Sequence, residues 1–191
     1  MRGTARALLA AVLAFASTFA FADEAAAWAA LRSGGHVALI RHASTVPGLG
    51  DPPGYRLDDC STQRNLSDSG RAEARRLGER FRQEGVKVEK VYTSPWCRCR
   101  DTATEAFGKA EEWAALSSFF DDRGREPDLT ERVKNRIGTY STRRPQGTVV
   151  MVTHNVNIAA LTGVSPGTGE VVVVRPDGCC GLRVVGRIRI G

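Results

Sequence analysis

Only three histidines occur in the 191 residues, and two of them stand in matching places. His42 closes the apolar run His36–Arg41, and His154 closes the apolar run Thr148–Thr153. Short apolar runs of this kind read as buried strands. In open parallel sheets the carboxyl ends of the strands converge on the ligand crevice. Two strand-end histidines would therefore meet at one site. Arg41 sits beside His42. A further strand, Val88–Thr93, delivers its end at Ser94-Pro95, with Arg98 and Arg100 in the first turns of the helix expected there. A helix N-terminus attracts anions, and arginines strengthen that pull. Two imidazoles with two or three guanidiniums suit a phosphoryl group. A neutral imidazole can attack phosphorus, and the permanently charged arginines match the equatorial oxygens. The competing reading is two unrelated strand-end histidines. His36, at the start of its strand, reads as structural or surface.

The elements that must position these residues alternate along the chain. Asp23–Arg32 reads as a short Ala-rich helix ended by Gly34-Gly35. Ala43–Asn65 is a polar loop, longer than usual connections, and such loops are often functional. Ser67 reads as the N-cap of a helix running to about Gly85, with Ala72, Leu77 and Phe81 on its apolar stripe. Ser94-Pro95 is expected to cap the next helix. Phe119-Phe120 read as core anchors, and Leu129–Ile137 as a short helix. Asn155–Leu161 opens a helix ended by Gly163, and Glu170–Arg175 and Leu182–Ile190 are late strands. The β-α-β-α order predicts an α/β domain with a largely parallel sheet.

Residues 1–22 carry Arg2 and Arg6, no acid, a short apolar stretch and a closing Ala20-Phe21-Ala22. This is the pattern of a secretory signal peptide. Its apolar run is short for a spanning helix, which wants roughly 20 residues. Cleavage would leave residues 23–191 as one domain, in the periplasm or secreted, with no stable membrane insertion. Loss of the two arginines would lower the net charge from +6 to +4. The basic balance, 23 of whose 27 cationic residues are arginine, is dispersed and lies in no nucleic-acid motif. An exported chain favours disulfides. Cys60, in a polar loop, is placed to pair with the Cys97/Cys99 region, and the vicinal Cys179-Cys180 pair cannot easily close on itself. The C-x-C and C-C spacings do not match zinc sites. Gly48–Gly54 echoes a glycine fingerprint, but it has the wrong spacing, two prolines and no following helix. No metal and no cofactor is expected.

Four segments carry a resemblance. LIRHAST resembles the R-H-G motif of the histidine phosphatase (phosphoglycerate mutase-like) superfamily, with Ala43 in the usual glycine position. NLSDSGRAEARRLG resembles its L-T-x-x-G-x-x-Q-A helix. VYTSPWCRCRDTA resembles its S-S-P-x-x-R-A-x-x-T-A segment, and VVMVTHNVNIAALTG its second-histidine segment. They occur in family order between Val37 and Gly163. The resemblance implies a three-layer α/β/α sandwich with a mostly parallel central sheet. It implies His42 as the nucleophile, Arg41 and Arg98 as phosphoryl ligands, and His154 as a further phosphoryl-stabilising group. Arg100 falls outside the aligned arginine position.

The proton donor is the position where the pattern departs. Many relatives place a Glu after the S-P-x-x-R helix, and here Ser118 stands there; another branch has an Asp after the second histidine, and here it is Asn155. Asp122 is the expected donor, on the view that Phe119-Phe120 anchor the segment and turn it back; Asp121, or no donor at all, are the alternatives. Without a strong acid, good leaving groups such as phosphohistidine or acyl phosphate would be favoured. Arg64 and Asn65 could reach a phosphate, or could belong to a loop that only caps the next helix and holds a disulfide. The resulting expectation is an exported phosphatase acting on a small phosphorylated substrate such as a cell-envelope sugar phosphate. The alternative is a non-catalytic phosphate-binding or interaction protein on the same fold.

Overall fold

A computed structural model of the protein describes residues 24–143, 146–178 and 181–190. The expected signal peptide and the Cys179-Cys180 pair lie outside these residues. Six strands form one sheet in the order β3-β2-β4-β1-β5-β6: β1 Val37–Arg41, β2 Val88–Thr93, β3 Glu111–Glu112, β4 Thr148–Thr153, β5 Val171–Asp177 and β6 Gly181–Ile188. β1 runs parallel to β4, β4 to β2 and β2 to β3; β5 lies antiparallel to β1, and β6 antiparallel to β5. Helix α1 covers residues 24–33. The others are α2 Asp68–Gln83, α3 Cys97–Phe107, α4 Glu126–Gly138, α5 Tyr140–Arg143 and α6 Asn155–Thr162.

The period-two alternation of β1 splits its side chains between two cores. Ala38 and Ile40 join Trp28, Leu31, Leu77, Phe81 and Ala103 from α1, α2 and α3. Val37 and Leu39 join Val133 and Ile137 of α4 and Ile158 and Leu161 of α6 on the opposite face. Helices on both faces make a three-layer α/β/α domain. They also explain why β1 and β4 are continuous apolar runs, since both faces of a central parallel strand are buried.

Close backbone approaches hold the layer beside the site. Gly70, in the first turn of α2, faces the Ser44 carbonyl so tightly that an added Cβ would lie 1.8 Å from that oxygen. Gly78 lies against the Ala106 carbonyl in the same way, at 2.0 Å, locking α2 onto α3. Ser67 caps α2 as expected, its hydroxyl accepting from the Gly70 N–H at 3.1 Å. α3 corrects the sequence expectation: it begins at Cys97 with Trp96 as N-cap, and Ser94 does not cap it. The Ser94 hydroxyl accepts from the Trp96 N–H at 3.4 Å, one residue before the helix, and also bonds His154 Nε2.

Candidate active site

β1 and β4 are neighbours in register, pairing Arg41 with Thr153. The next residue of each strand is therefore delivered to the same place. The rings of His42 and His154 lie 5.5 Å apart, centroid to centroid, and both are buried. The His42 N–H bonds the Thr153 carbonyl at 3.0 Å, tying the two strand ends together. A cavity of about 220 Å³ opens over them, and its lining includes Arg41, Arg64, Arg98 and Asp51.

Each histidine is set by a hydrogen bond on its far nitrogen. His42 Nδ1 lies 2.9 Å from the carbonyl of Ala43. A carbonyl can only accept, so Nδ1 carries the proton and Nε2 keeps its lone pair. His154 Nε2 lies 2.9 Å from the Ser94 hydroxyl, leaving Nδ1 as the ring's other polar atom. Burial, then the positive charges of Arg98, Arg41 and Arg64, push His42 down to about 3, against a partial upward pull from the Ala43 carbonyl. Burial and the same arginines, together with His42 itself, hold His154 well below the ordinary histidine value. Both imidazoles are neutral at physiological pH. Neutral His42 is a nucleophile. The Ser94 hydroxyl can donate to His154 Nε2 or accept from it, so either tautomer of neutral His154 fits this contact.

The guanidiniums are fixed separately. Arg41 donates to the Pro166 carbonyl at 2.9 Å. Arg98, at the start of α3, donates to both oxygens of Asp51, at 2.8 and 3.0 Å, with the two side chains 5% and 2% exposed. The same carboxylate accepts from Trp96 Nε1 at 3.1 Å and from the Arg64 backbone N–H at 2.9 Å. The Nε atoms of Arg41, Arg64 and Arg98 are all buried without a partner. Buried unpaired donors are costly, and three in one cavity are chemically matched to an oxyanion. Among the described residues, no group of His, Cys, Asp or Glu could hold a metal ion, and no helix is long and apolar enough to cross a membrane.

The histidine phosphatase superfamily (branch 1) profile matches residues 37–120, which hold His42, Arg98 and the loop between their elements. Over these residues the chain is similar to the histidine phosphatase superfamily. Solved structures with the same fold include the protein histidine phosphatase SixA complexed with tungstate, at 17% identity and a TM-score of 0.58, covering 80% of this chain and 96% of that one. A mycobacterial glucosyl-3-phosphoglycerate phosphatase superposes with a TM-score of 0.58 at 16% identity, covering 78% and 96%. A curated relative, the mitochondrial serine/threonine-protein phosphatase Pgam5 of Drosophila virilis, is 32% identical over 72 residues. That alignment covers 38% of this chain and 22% of the relative's length.

Four of the five expected histidine-phosphatase site residues come together: His42, Arg41, Arg98 and His154 all line the cavity. Asp122 does not. Its carboxylate accepts from the Gly124 N–H at 3.2 Å and caps the turn Arg123–Arg125. Only one of the two phenylalanines is an anchor: Phe119 is 1% exposed and Phe120 42%. The segment consequently presents Phe120 and Asp121 to the cavity and turns Asp122 away. Arg100 pairs with Glu112 at 3.2 Å on the surface, away from the site. Asn65 bonds the Cys60 carbonyl, and Cys60 is disulfide-bonded to Cys97, one residue before Arg98. Sequence reasoning did not single out Asp51 and took Ser94 only as a strand end and helix cap. Asp51 lies inside the segment discounted as a failed glycine fingerprint, and its only local signal is an acid between glycine and proline.

Proposed function

We propose that this chain is a phosphatase that hydrolyses a phosphomonoester through a phosphohistidine on His42. The observation that carries the reading is the pair of neutral imidazoles between guanidiniums whose Nε donors are buried and unpaired. The His42 Nε2 lone pair attacks phosphorus, and the bond from phosphorus to the leaving oxygen breaks. The leaving oxygen takes a proton, for which Asp121 is, among the described residues, the only cavity-lining carboxyl besides the arginine-bound Asp51. Water then attacks the phosphohistidine, the P–N bond breaks, and inorganic phosphate leaves with His42 neutral again. Arg41 and Arg98 neutralise the equatorial oxygens throughout, and His154 stabilises the group in flight. The chemistry assigned here uses no metal.

The reading extends to compartment. The signal-like residues 1–22 and the Cys60–Cys97 disulfide support export to an oxidising space. A cell-envelope sugar phosphate is the substrate class that such a location favours. The test is turnover of phosphorylated metabolites and envelope sugars by wild type and His42→Ala, with and without EDTA. Loss of turnover in the variant, with EDTA harmless, is expected. Equal turnover in the two proteins refutes the nucleophile. Phosphate binding without turnover in wild type would favour the phosphate-binding alternative.

A further inference from the structure

Arg64 is the one guanidinium of the cavity that no sheet strand or helix delivers. It stands on the loop between β1 and α2, yet three separate contacts fix it. Its backbone N–H is anchored on Asp51 Oδ1 at 2.9 Å, on the carboxylate that also grips Arg98. Its Nη1 donates to the Gly48 carbonyl. The loop carrying it is stapled to α3 by the Cys60–Cys97 disulfide and by Gln63 Oε1, which accepts from the Cys97 N–H at 3.0 Å. Among the described residues Arg64 forms no ion pair, and its Nε is buried without an acceptor.

The charge balance is lopsided. Among the described residues, three guanidiniums, Arg41, Arg64 and Arg98, face a cavity lined by two carboxyls, exposed Asp121 and buried Asp51, and Arg98 already takes Asp51 twice. Burial and the neighbouring cations hold Arg41 and Arg64 below the ordinary arginine value. Like charges crowded at partial burial are tolerated where an anion is to be bound. A surface arginine serving only its loop would keep its Nε in water.

We propose that Arg64 is a third guanidinium ligand of the same phosphoryl group that Arg41 and Arg98 hold, supplied by the stapled loop. This rests on reading the cavity as a phosphoryl site, but it can be tested apart from turnover. The probe is inorganic phosphate, titrated calorimetrically into the full chain as wild type, Arg64→Gln and Arg64→Lys, each also in a His42→Ala background that cannot form phosphohistidine. Arg64→Gln is expected to weaken phosphate binding by about tenfold or more in both backgrounds, with Arg64→Lys recovering part of it. Melting temperatures of the variants check that the fold is kept. Phosphate affinity of Arg64→Gln within about twofold of wild type overturns the assignment. So does a variant that binds phosphate normally but loses affinity only for substrates bearing a second anionic group, which would put Arg64 on the leaving group. Absence of turnover in wild type alongside an Arg64-dependent phosphate affinity would instead refute the hydrolase and leave this ligand standing.

Discussion

Replacing Asp51 with alanine strands the Arg98 guanidinium. Arg98 Nη1 donates to both carboxylate oxygens, and both side chains are nearly sealed from water, at 5% and 2% exposure. Breaking a buried pair by removing one partner costs about 3–5 kcal/mol, because the remaining charge is left uncompensated. Trp96 Nε1 and the Arg64 N–H lose their acceptor in the same step. For a chain of this size each kcal/mol moves the melting temperature by about 2–4 °C, so Asp51→Ala should melt roughly 6–20 °C lower. The deficit has a distinctive remedy. Inorganic phosphate gives Arg98 a substitute anion, so saturating phosphate should raise the melting temperature of Asp51→Ala by more than it raises that of wild type. Activity should fall as well, since Arg98 loses its fixed direction, and small misplacements of a phosphoryl ligand cost about 100-fold. Scanning calorimetry of both proteins, with and without phosphate, reads all of this except the rate. A melting temperature within about 2 °C of wild type, or equal phosphate shifts in the two proteins, would refute the role given to Asp51.

The two buried imidazoles make stability depend on pH with a definite sign. His42 is neutral in the folded chain down to about 3 and His154 is also held low, whereas an unfolded histidine takes a proton near 6.5. The unfolded chain therefore binds more protons below that value, and stability falls with falling pH by up to about 1.4 kcal/mol per pH unit for each histidine. Denaturant titrations between pH 7.5 and 4.5, set as a window of roughly this range, should show a slope that flattens in His42→Gln; an unchanged slope speaks against the burial of His42. The Cys60–Cys97 disulfide closes a separation of 37 residues, for which chain entropy gives about 4 kcal/mol. Cys60→Ser should thus lower the unfolding free energy by about that amount and weaken phosphate binding through the loosened Arg64 loop; unchanged phosphate affinity would separate the staple from the site. Gly70→Ala would drive a Cβ into the Ser44 carbonyl, two residues from His42. Overpacking of this kind costs about 1–3 kcal/mol, read by thermal melting, and a neutral result would mean that the Ser44 segment yields freely.

How far the sequence could be read depended on whether a residue's role was local. β1 and β4 were legible because strands buried on both faces are continuous apolar runs, and that placed His42 and His154 at once. The pairing of Cys60 with the Cys97/Cys99 region was legible from one cysteine in a polar loop and two at the start of a helix. Ser94 was misread because Ser-Pro is a good local helix start, while its hydroxyl is taken by a histidine 60 residues away. Asp51 was invisible for the same reason: its partner Arg98 is 47 residues distant, and only the fold brings them together. Asp122 was expected to reach the cavity, but Asp121 lines it instead, because only Phe119 of the two phenylalanines is swallowed by the core. β3, two exposed glutamates at the sheet edge, has no hydrophobic pattern to betray it.

The central claim is a covalent bond from His42 to phosphorus. Rapid quenching of turnover, followed by mass spectrometry of the peptides under conditions that spare the P–N bond, measures it directly. One phosphoryl group on the His42 peptide, absent from His42→Ala and lost on mild acid treatment, is the predicted result. Steady turnover with no phosphorylated His42 peptide, or the same adduct in His42→Ala, would contradict it.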